Sequence, residues 1–313
     1  MTRMQQHDLA ELPSEVVRYD EPMAGHTSFQ IGGPADLFLA PRTYEELQGC
    51  LRLVQKSGLP YFLLGGGTNI LVSDRGIRGV VISTTELKAI RVTEGILTAQ
   101  TGATVESVCE AAEKHGLAGV EFLYGMPGTI GGAVWMNARC YGGSISDVLQ
   151  RVKVIDSSLK RVTVANDPAL FGYKRSPFQQ MRSCIWEVSL KLEEGDRDSL
   201  RQAMAQNLAD RKEKGHFTAP SAGSLFKNNR EFGAPTGKII DDLGLRGTVA
   251  GGAAIAPYHG NIFINQDNAT AKDVLSLIRL AVETAWHEKN IRLEPEVRLV
   301  GDWAAEELAF LTL

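Results

Sequence analysis

Apolar residues recur along this chain with two periods, and the switches between those periods outline its elements. In "YEELQGCLRLVQKSG" Leu47, Cys50, Leu51 and Val54 fall three and four apart, the spacing of one helical face. Thr43, three residues before Glu46, supplies a capping box, and Gly58 supplies a stop. Helical spacing returns in "TVESVCEAAEKHG". It returns again from Asp198 to about Lys214, with Leu200, Met204, Leu208 and Arg211 along one face. The last helix is "ATAKDVLSLIRLAVETAWHEKN", striped by Val274, Ile278, Val282 and Ala285. Extended patterns fill the space between. "TSFQIGGPADLFLA" reads as a strand, a Gly-Gly-Pro turn and a second strand; "PYFLL" and "ILVSDRGIRGVVIS" give three further extended pieces. A hairpin turns at Glu94-Gly95, "VLQRVKVIDSSLKRVTV" forms another, and "SCIWEVSLKLEEGD" is a strand. In "IRLEPEVRLVG", Leu293, Pro295, Val297 and Leu299 alternate with Glu294, Glu296 and Arg298 on the opposite face.

The order of these elements predicts an α+β protein in several regions. Residues 1–20 read as a polar arm, with at most a short helix. Residues 21–85 form a small β-α-β unit with extra strands, residues 86–197 a strand-rich unit, and residues 198–290 a third region framed by two helices.

Composition narrows what such a protein does. Of 313 residues, 43 % are apolar and 22 % charged, and the net charge of −4 offers no global field for nucleic acid. An anionic ligand must therefore be held by local groups. No run approaches the roughly 18 apolar residues of a membrane span, and "MTRMQQHDLAELPSEVVRYD" lacks the apolar core of a signal peptide. The expectation is a cytoplasmic protein without membrane insertion. Cys50, Cys109, Cys140 and Cys184 are far apart with no paired spacing, which argues against a disulfide framework or a metal site.

Much of the glycine is clustered. "LGGGTNILVSD" places Gly65, Gly66, Gly67, Thr68 and Asn69 between two extended segments. It lacks the Gly-Lys-Ser/Thr of a Walker loop, and Ile70 stands where a Rossmann fingerprint needs glycine. Such a turn can still aim several N–H groups at one pyrophosphate, though an ordinary tight turn has the same composition. "GMPGTIGGAVWMNA" is a second cluster, with Gly125, Gly128, Gly131 and Gly132 baring one face of a turn and helix start. A flat aromatic ligand could lie there; close helix packing is the alternative. "PSAGSLFKN" holds Ser224 after a glycine, yet its flanks Ala222 and Phe226 break the Gly-x-Ser-x-Gly elbow of a nucleophilic serine.

Taken in order, "TSFQIGGPADL", "LGGGTNILVSDRGIRGVVI", "EFLYGMPGTIGGAVWMNA", "PSAGSLFKN" and "LEPEVRLVG" resemble the UDP-N-acetylenolpyruvoylglucosamine reductases, the MurB family, from about residue 25 to residue 301. The short spacing before "PSAGS" resembles the family's type II form. The resemblance implies an FAD-binding fold of the PCMH/vanillyl-alcohol-oxidase type in two subdomains, 21–85 (joined by 291–313) and 86–197, followed by an α+β substrate-binding domain over 198–290. It implies non-covalent FAD, NADPH as co-substrate, and a UDP-sugar whose enolpyruvyl ether is reduced in peptidoglycan precursor synthesis. The expected assembly is a monomer, and no metal is implied.

Site residues follow from the same resemblance. FAD would meet Ile31, Gly32 and Gly33, then Gly65, Gly66, Gly67, Thr68, Asn69, Ile70 and Leu71, and then Gly125, Pro127, Gly128, Thr129, Gly131 and Gly132. Ser224 matches the family's proton donor, and Glu296 its glutamate in the final strand. The family's arginine in a Tyr-Arg-x-Ser stretch falls on Lys174 of "FGYKRSPF", with Arg175 next to it. Lys lacks the bidentate fork of Arg. If the segment is extended, the two side chains point opposite ways; the expectation is that Lys174 serves. Tyr173, Lys214, Lys227, Asn228 and Lys238 are candidates for the substrate's pocket, phosphates or carboxylate, and His259 is given no role. Two other readings compete: a sugar or lactone oxidase on the same FAD fold, and a flavin-binding protein without turnover. Ser224 and Glu296 together argue against both.

Overall fold

A computed structural model describes residues 12–312. Two units form, interleaved along the chain: the first holds residues up to 18, 37–66 and 80–210, the second 19–36, 67–79 and 211 onward.

In chain order the strands are β1 (Val17–Pro22), β2 (Pro34–Leu39), β3 (Tyr61–Leu64), β4 (Ile70–Val72), β5 (Ile77–Ser83), β6 (Ile90–Thr93) and β7 (Ile96–Gln100). Short pieces β8 (Leu117–Ala118), β9 (Arg139–Cys140) and β10 (Gly143–Ser144) follow, then β11 (Leu149–Ile155), β12 (Arg161–Ala165), β13 (Cys184–Lys191) and β14 (Glu193–Glu194). The last are β15 (Ser221–Ser224), β16 (Val249–Ala250), β17 (Ala253–Ile255), β18 (Ile262–Asn265) and β19 (Arg298–Val300). The helices are α1 (Tyr44–Ser57), α2 (Val105–Lys114), α3 (Ile130–Trp135), α4 (Ile145–Val148), α5 (Arg197–Glu213), α6 (Thr236–Asp242), α7 (Ala271–Lys289) and α8 (Ala305–Leu308).

The first unit is built on an antiparallel sheet of order β12-β11-β13-β7-β6. Its hairpin at Glu94 and Gly95 has φ of +50° and +73°, the two left-handed residues that match the strand twist. Leu97, Val108, Ile130, Val134 and Val188 fill the core between this sheet and helices α2 and α3. In β13 seven of eight residues are buried, which the alternating reading of one-faced strands does not anticipate. A second cluster seats α1 through Leu47, Cys50, Leu51 and Val54 against Leu37, Leu39, Val80 and Ile82. Here β3 and β5 run parallel, Tyr61 opposite Val80 through Leu64 opposite Ser83. Thr43 caps α1 by accepting from the Glu46 N–H at 3.1 Å, while the Glu46 carboxylate accepts from Arg42, not Thr43; Gly58 closes the helix at φ +65°.

The second unit carries an antiparallel sheet of order β15-β18-β17-β16. Helix α7 lies on it through Val274, Ile278, Val282 and Ala285, with Phe226, Ile255 and Phe263 in the same core. Thr270 and Asp273 form the reciprocal capping box that starts α7, and Asn290 ends it in the left-handed region at φ +54°.

Three local expectations are corrected. Residues 17–20 are not part of an arm, because Val17–Pro22 is a strand at the edge of a sheet; residues 1–11 lie outside the described residues. Thr27 to Gln30 is a turn rather than a strand, since Gln30 sits at φ +56° and Thr27 Oγ1 donates to the Ile31 carbonyl at 2.9 Å. Regular strand in the final segment begins only at Arg298, and residues 294–297 leave it to pair elsewhere.

Candidate active site

In the first unit the chain leaves β3 at Gly65 and Gly66 and meets the turn that opens α3. A Cβ on Gly65 would lie 2.7 Å from Thr129 Oγ1, and one on Gly66 2.8 Å from Gly128 Cα, so the two turns touch backbone to backbone. Thr129 Oγ1 accepts from the Gly132 N–H at 3.4 Å and caps α3. Gly125 and Gly128 hold φ of +76° and +118°, which side chains rarely adopt. Gly131 differs from the expected bare face: its Cβ would strike Thr101 Oγ1 at 1.9 Å, so this glycine serves packing against the sheet. Pro127 is exposed and Gly132 half-buried. Gly65 and Gly66 thus let the two turns meet with no side chain between them, and Gly132, whose Cβ position meets only Thr129 Oγ1 at 3.4 Å, leaves backbone uncovered beside them, a surface that fits a flat or pyrophosphate-bearing group such as FAD.

In the second unit Gly67 stands at φ +64° with room for no Cβ, the His26 carbonyl oxygen lying 2.0 Å from that position. Gly32, at φ +144°, packs on Val72, and Gly33 packs on the Asp74 carbonyl. Ile31 and Leu71 are 2 % and 1 % exposed and belong to the hydrophobic core, so only their backbone is available to a ligand. Ile70 and Leu71 run parallel to Arg298 and Leu299 in β4 and β19. Asn69 Nδ2 donates to the Glu296 carbonyl at 3.1 Å, and the Asn69 carbonyl accepts from the Arg298 N–H at 3.1 Å.

Ser224 ends β15 beside a bulge. Ser221 faces Ile264 and Ser224 faces Ile262, so three steps on β15 oppose two on β18, with Gly223 at φ +72° taking up the extra residue. That glycine, not an elbow, turns the half-buried Ser224. The next residues are held on both sides. Leu225 N–H donates to the Asn261 carbonyl at 2.8 Å, and Phe226 exchanges two 2.9 Å bonds with the Asn261 side chain. On the other side Glu296 N–H donates to the Leu225 carbonyl at 2.7 Å, and Phe226 bridges Pro295. Glu296 is therefore fixed to the carbonyl of Leu225, the residue that follows Ser224.

The remaining candidates divide. Tyr173 and Lys174 form the tip of a tight turn closed by reciprocal Gly172–Arg175 backbone bonds of 3.0 and 3.1 Å. The segment is not extended, since Lys174 sits at φ +55°, and the argument from opposite-pointing neighbours does not apply. Lys174 is half-buried with its ammonium 5.8 Å from the Tyr173 ring centre; Arg175 is exposed and folds over Gly172. Lys227 pairs with Glu294, and Lys238 with Asp242 one turn along α6 at 2.9 Å. Asn228 Oδ1 accepts from the N–H of Thr236, the first residue of α6, at 2.9 Å. Lys214 is exposed in the turn after α5. Asn261, 2 % exposed, is the residue the sequence did not single out. Its only signal is an asparagine at the head of the apolar run "IFI", whose partner lies 35 residues away.

Among the described residues no three His, Cys, Asp or Glu side chains gather in a metal-binding group, and no helix is long and apolar enough to cross a membrane. Burial pushes the Cys50 and Cys184 thiols up to about 12, which makes them poor nucleophiles.

Comparison with known proteins identifies the family. The family described as "UDP-N-acetylenolpyruvoylglucosamine reductase, C-terminal domain" matches residues 215–300, and "FAD binding domain" matches residues 35–164. The UDP-N-acetylenolpyruvoylglucosamine reductase of Treponema denticola is 38 % identical over 95 % of this chain and 97 % of its own length. That of Borreliella burgdorferi is 39 % identical over 89 % of this chain and 93 % of its own. The crystal structure of the Thermus caldophilus enzyme (MurB) superposes with a TM-score of 0.77 at 32 % identity, covering 89 % of this chain and 97 % of that one.

Proposed function

Since the chain belongs to the UDP-N-acetylenolpyruvoylglucosamine reductase family, the FAD-containing oxidoreductases of peptidoglycan precursor synthesis, we propose that it reduces the enolpyruvyl ether of that substrate with NADPH, using Ser224 as the proton donor. The α+β fold, with an FAD-binding domain and the family's C-terminal domain, agrees with that membership. Within this reading, residues 21–85 and 86–197 are the FAD-binding subdomains and 198–290 the substrate domain.

The chemistry that bound FAD would supply is hydride transfer, with NADPH as the source and the β-carbon of the enolpyruvyl group as the acceptor. By the resemblance, the residues that would hold FAD are Gly32, Gly33, Gly65 to Asn69, Gly125, Pro127, Gly128, Thr129 and Gly132. The chain's own side chains handle the charge that follows. Hydride at the β-carbon leaves an enolate at the α-carbon, and one proton must arrive there on a defined face. Ser224 is compact enough to reach a carbon; a hydroxyl is a weak acid, but an enolate carbon is a strong base, so the transfer runs downhill. Glu296 and Lys174 set the field about the substrate carboxylate as the charge develops. Lys227 answers to Glu294, and Lys238 to Asp242, so their substrate roles require those pairs to open.

The observation that carries this reading is the join between the Ser224 segment and Glu296, whose N–H donates at 2.7 Å to the carbonyl of Leu225, the residue after Ser224. The test is product formation. Purified holoenzyme with NADPH and UDP-N-acetylenolpyruvoylglucosamine should yield UDP-N-acetylmuramate, one NADPH consumed per product. NADPH oxidation that needs oxygen and leaves the substrate intact would move the oxidase reading to the front.

A further inference from the structure

Asn261 uses every polar group it has on three residues, Leu225, Phe226 and His259. Its carbonyl accepts from Leu225 N–H at 2.8 Å, Oδ1 accepts from Phe226 N–H at 2.9 Å, and Nδ2 donates to the Phe226 carbonyl at 2.9 Å. Its own N–H donates to His259 Nδ1 at 3.0 Å. The next residue, Ile262, is the partner of Ser224 across the β15–β18 ladder. The loop that presents Asn261 is wedged on α6: a Cβ on Gly237 would lie 2.9 Å from His259 Cε1, and one on Gly260 2.5 Å from both Asp241 Oδ1 and the Gly237 carbonyl. Side-chain clamps that copy a strand ladder at one residue cost conformational freedom, and they persist where the held segment must not shift.

We propose that Asn261 and His259 are positioning residues for Ser224: His259 Nδ1 orients the Asn261 backbone, and Asn261 fixes the register and twist of the segment that carries Ser224 and anchors Glu296. Neither touches the substrate in this account; both act through Leu225 and Phe226. The role requires His259 Nδ1 as a lone-pair acceptor, hence a neutral ring carrying its proton on Nε2. Burial holds the ring's pKa below the ordinary histidine value; Asp241 of α6 opposes this, while Lys214 after α5 and Arg246 after α6 reinforce it. Neutral imidazole therefore prevails at neutral pH, and the clamp loosens only as pH falls through the lowered value.

This inference rests on the assignment of Ser224 as proton donor, and the experiment separates the two. Asparagine places Oδ1 on Cγ where histidine has Nδ1, and it does not titrate. Wild-type holoenzyme, His259→Asn, His259→Ala and Ser224→Ala are compared by amide hydrogen exchange over residues 224–228 and by the two anaerobic half-reactions. In His259→Ala, exchange at Leu225 and Phe226 should rise about tenfold, and flavin reoxidation by substrate should slow about 10- to 100-fold. Flavin reduction by NADPH should stay within about twofold, since a displaced Ser224 leaves that step alone. His259→Asn should recover both properties and hold its reoxidation rate at acid pH, where the wild type declines. Unchanged exchange in His259→Ala overturns the proposal, whether or not reoxidation slows. Reoxidation at the wild-type rate in Ser224→Ala would remove the proton-donor assignment, while the exchange data would still decide whether His259 and Asn261 hold the strand.

Discussion

Asn69 holds Glu296 by its backbone: Asn69 Nδ2 donates to the Glu296 carbonyl at 3.1 Å, and two residues on Arg298 N–H donates to the Asn69 carbonyl at 3.1 Å. A residue of the glycine turn thus sets the backbone of the glutamate that would sit by the substrate. Glu296 passes the restraint on, through its own N–H, to Leu225 beside Ser224. Asn69, Glu296 and the Leu225 that follows Ser224 share one hydrogen-bonded frame in the second unit.

Removing the tie should therefore cost more in rate than in stability. Asn69→Ala deletes one partly buried hydrogen bond, worth about 1 kcal/mol in a denaturation midpoint. Flavin reoxidation by substrate is expected to fall about tenfold or more, because Glu296 loses its fixed carbonyl. Equal small losses in both half-reactions would show that Asn69 matters only to folding.

Two glycines of the second unit, both in the left-handed region, should respond differently to alanine. Gly67→Ala puts a Cβ 2.0 Å from the His26 carbonyl, so backbone must move and a loss above about 3 kcal/mol, or failure to fold, is expected. Gly223→Ala meets nothing within 4 Å and carries only the conformational penalty of φ +72°, about 1–2 kcal/mol. Urea midpoints measure both. Because Gly223 shapes the bulge that turns Ser224, its variant should also reoxidise more slowly while still binding FAD.

Lys174 and Arg175 can be told apart by substitution. Lys174 is half-buried at the tip of its turn, whereas Arg175 is exposed and packed over Gly172. Lys174→Ala is expected to slow the substrate half-reaction about tenfold or more, Lys174→Arg to retain most of it, and Arg175→Ala to stay within about twofold. Reversal of the Ala results would transfer the role to Arg175.

Glu187 gives the first unit a pH dependence. Its carboxylate is 6 % exposed as a residue and bonds Arg91 at 2.5 Å and Lys153 at 2.9 Å. Burial alone would raise its pKa, but the two cationic partners outweigh it and hold the value below the ordinary one. A depressed folded value means that the stability is fully present above the unfolded pKa, about 4.3, and is lost as pH falls through the folded one. Glu187→Gln should unfold about 1–2 kcal/mol more easily at pH 7. The gap to wild type should narrow steadily below about pH 4; a gap constant down to pH 3 would contradict this.

The helices were legible because their signals are local. Thr43, Gly58 and the Val274–Ala285 stripe each fix an element within a few residues, and each stands where the spacing puts it. The turn at Thr27–Gln30 was not legible, because its apolar Phe29 and Ile31 are buried by distant partners rather than by strand pairing. Lys174 misled for a related reason: a non-glycine residue at φ +55° leaves no mark in the sequence. Ser224 could be placed by its motif, but not the bulge that aims it, since that depends on the register with Ile262 and Ile264. Asn261 was hidden for the same cause, its partners lying 35 residues back.

The assignment of Ser224 can be tested in a single turnover. Flavin in wild type and Ser224→Ala is reduced anaerobically with one equivalent of NADPH, UDP-N-acetylenolpyruvoylglucosamine is added, and flavin absorbance is followed with product analysis. The account expects equal reduction in both proteins and rapid reoxidation with UDP-N-acetylmuramate in wild type. It expects reoxidation slowed at least about 10³-fold in the variant, the upper part of the range for losing a positioned acid. Reoxidation of the variant at the wild-type rate, with the same product, would contradict it.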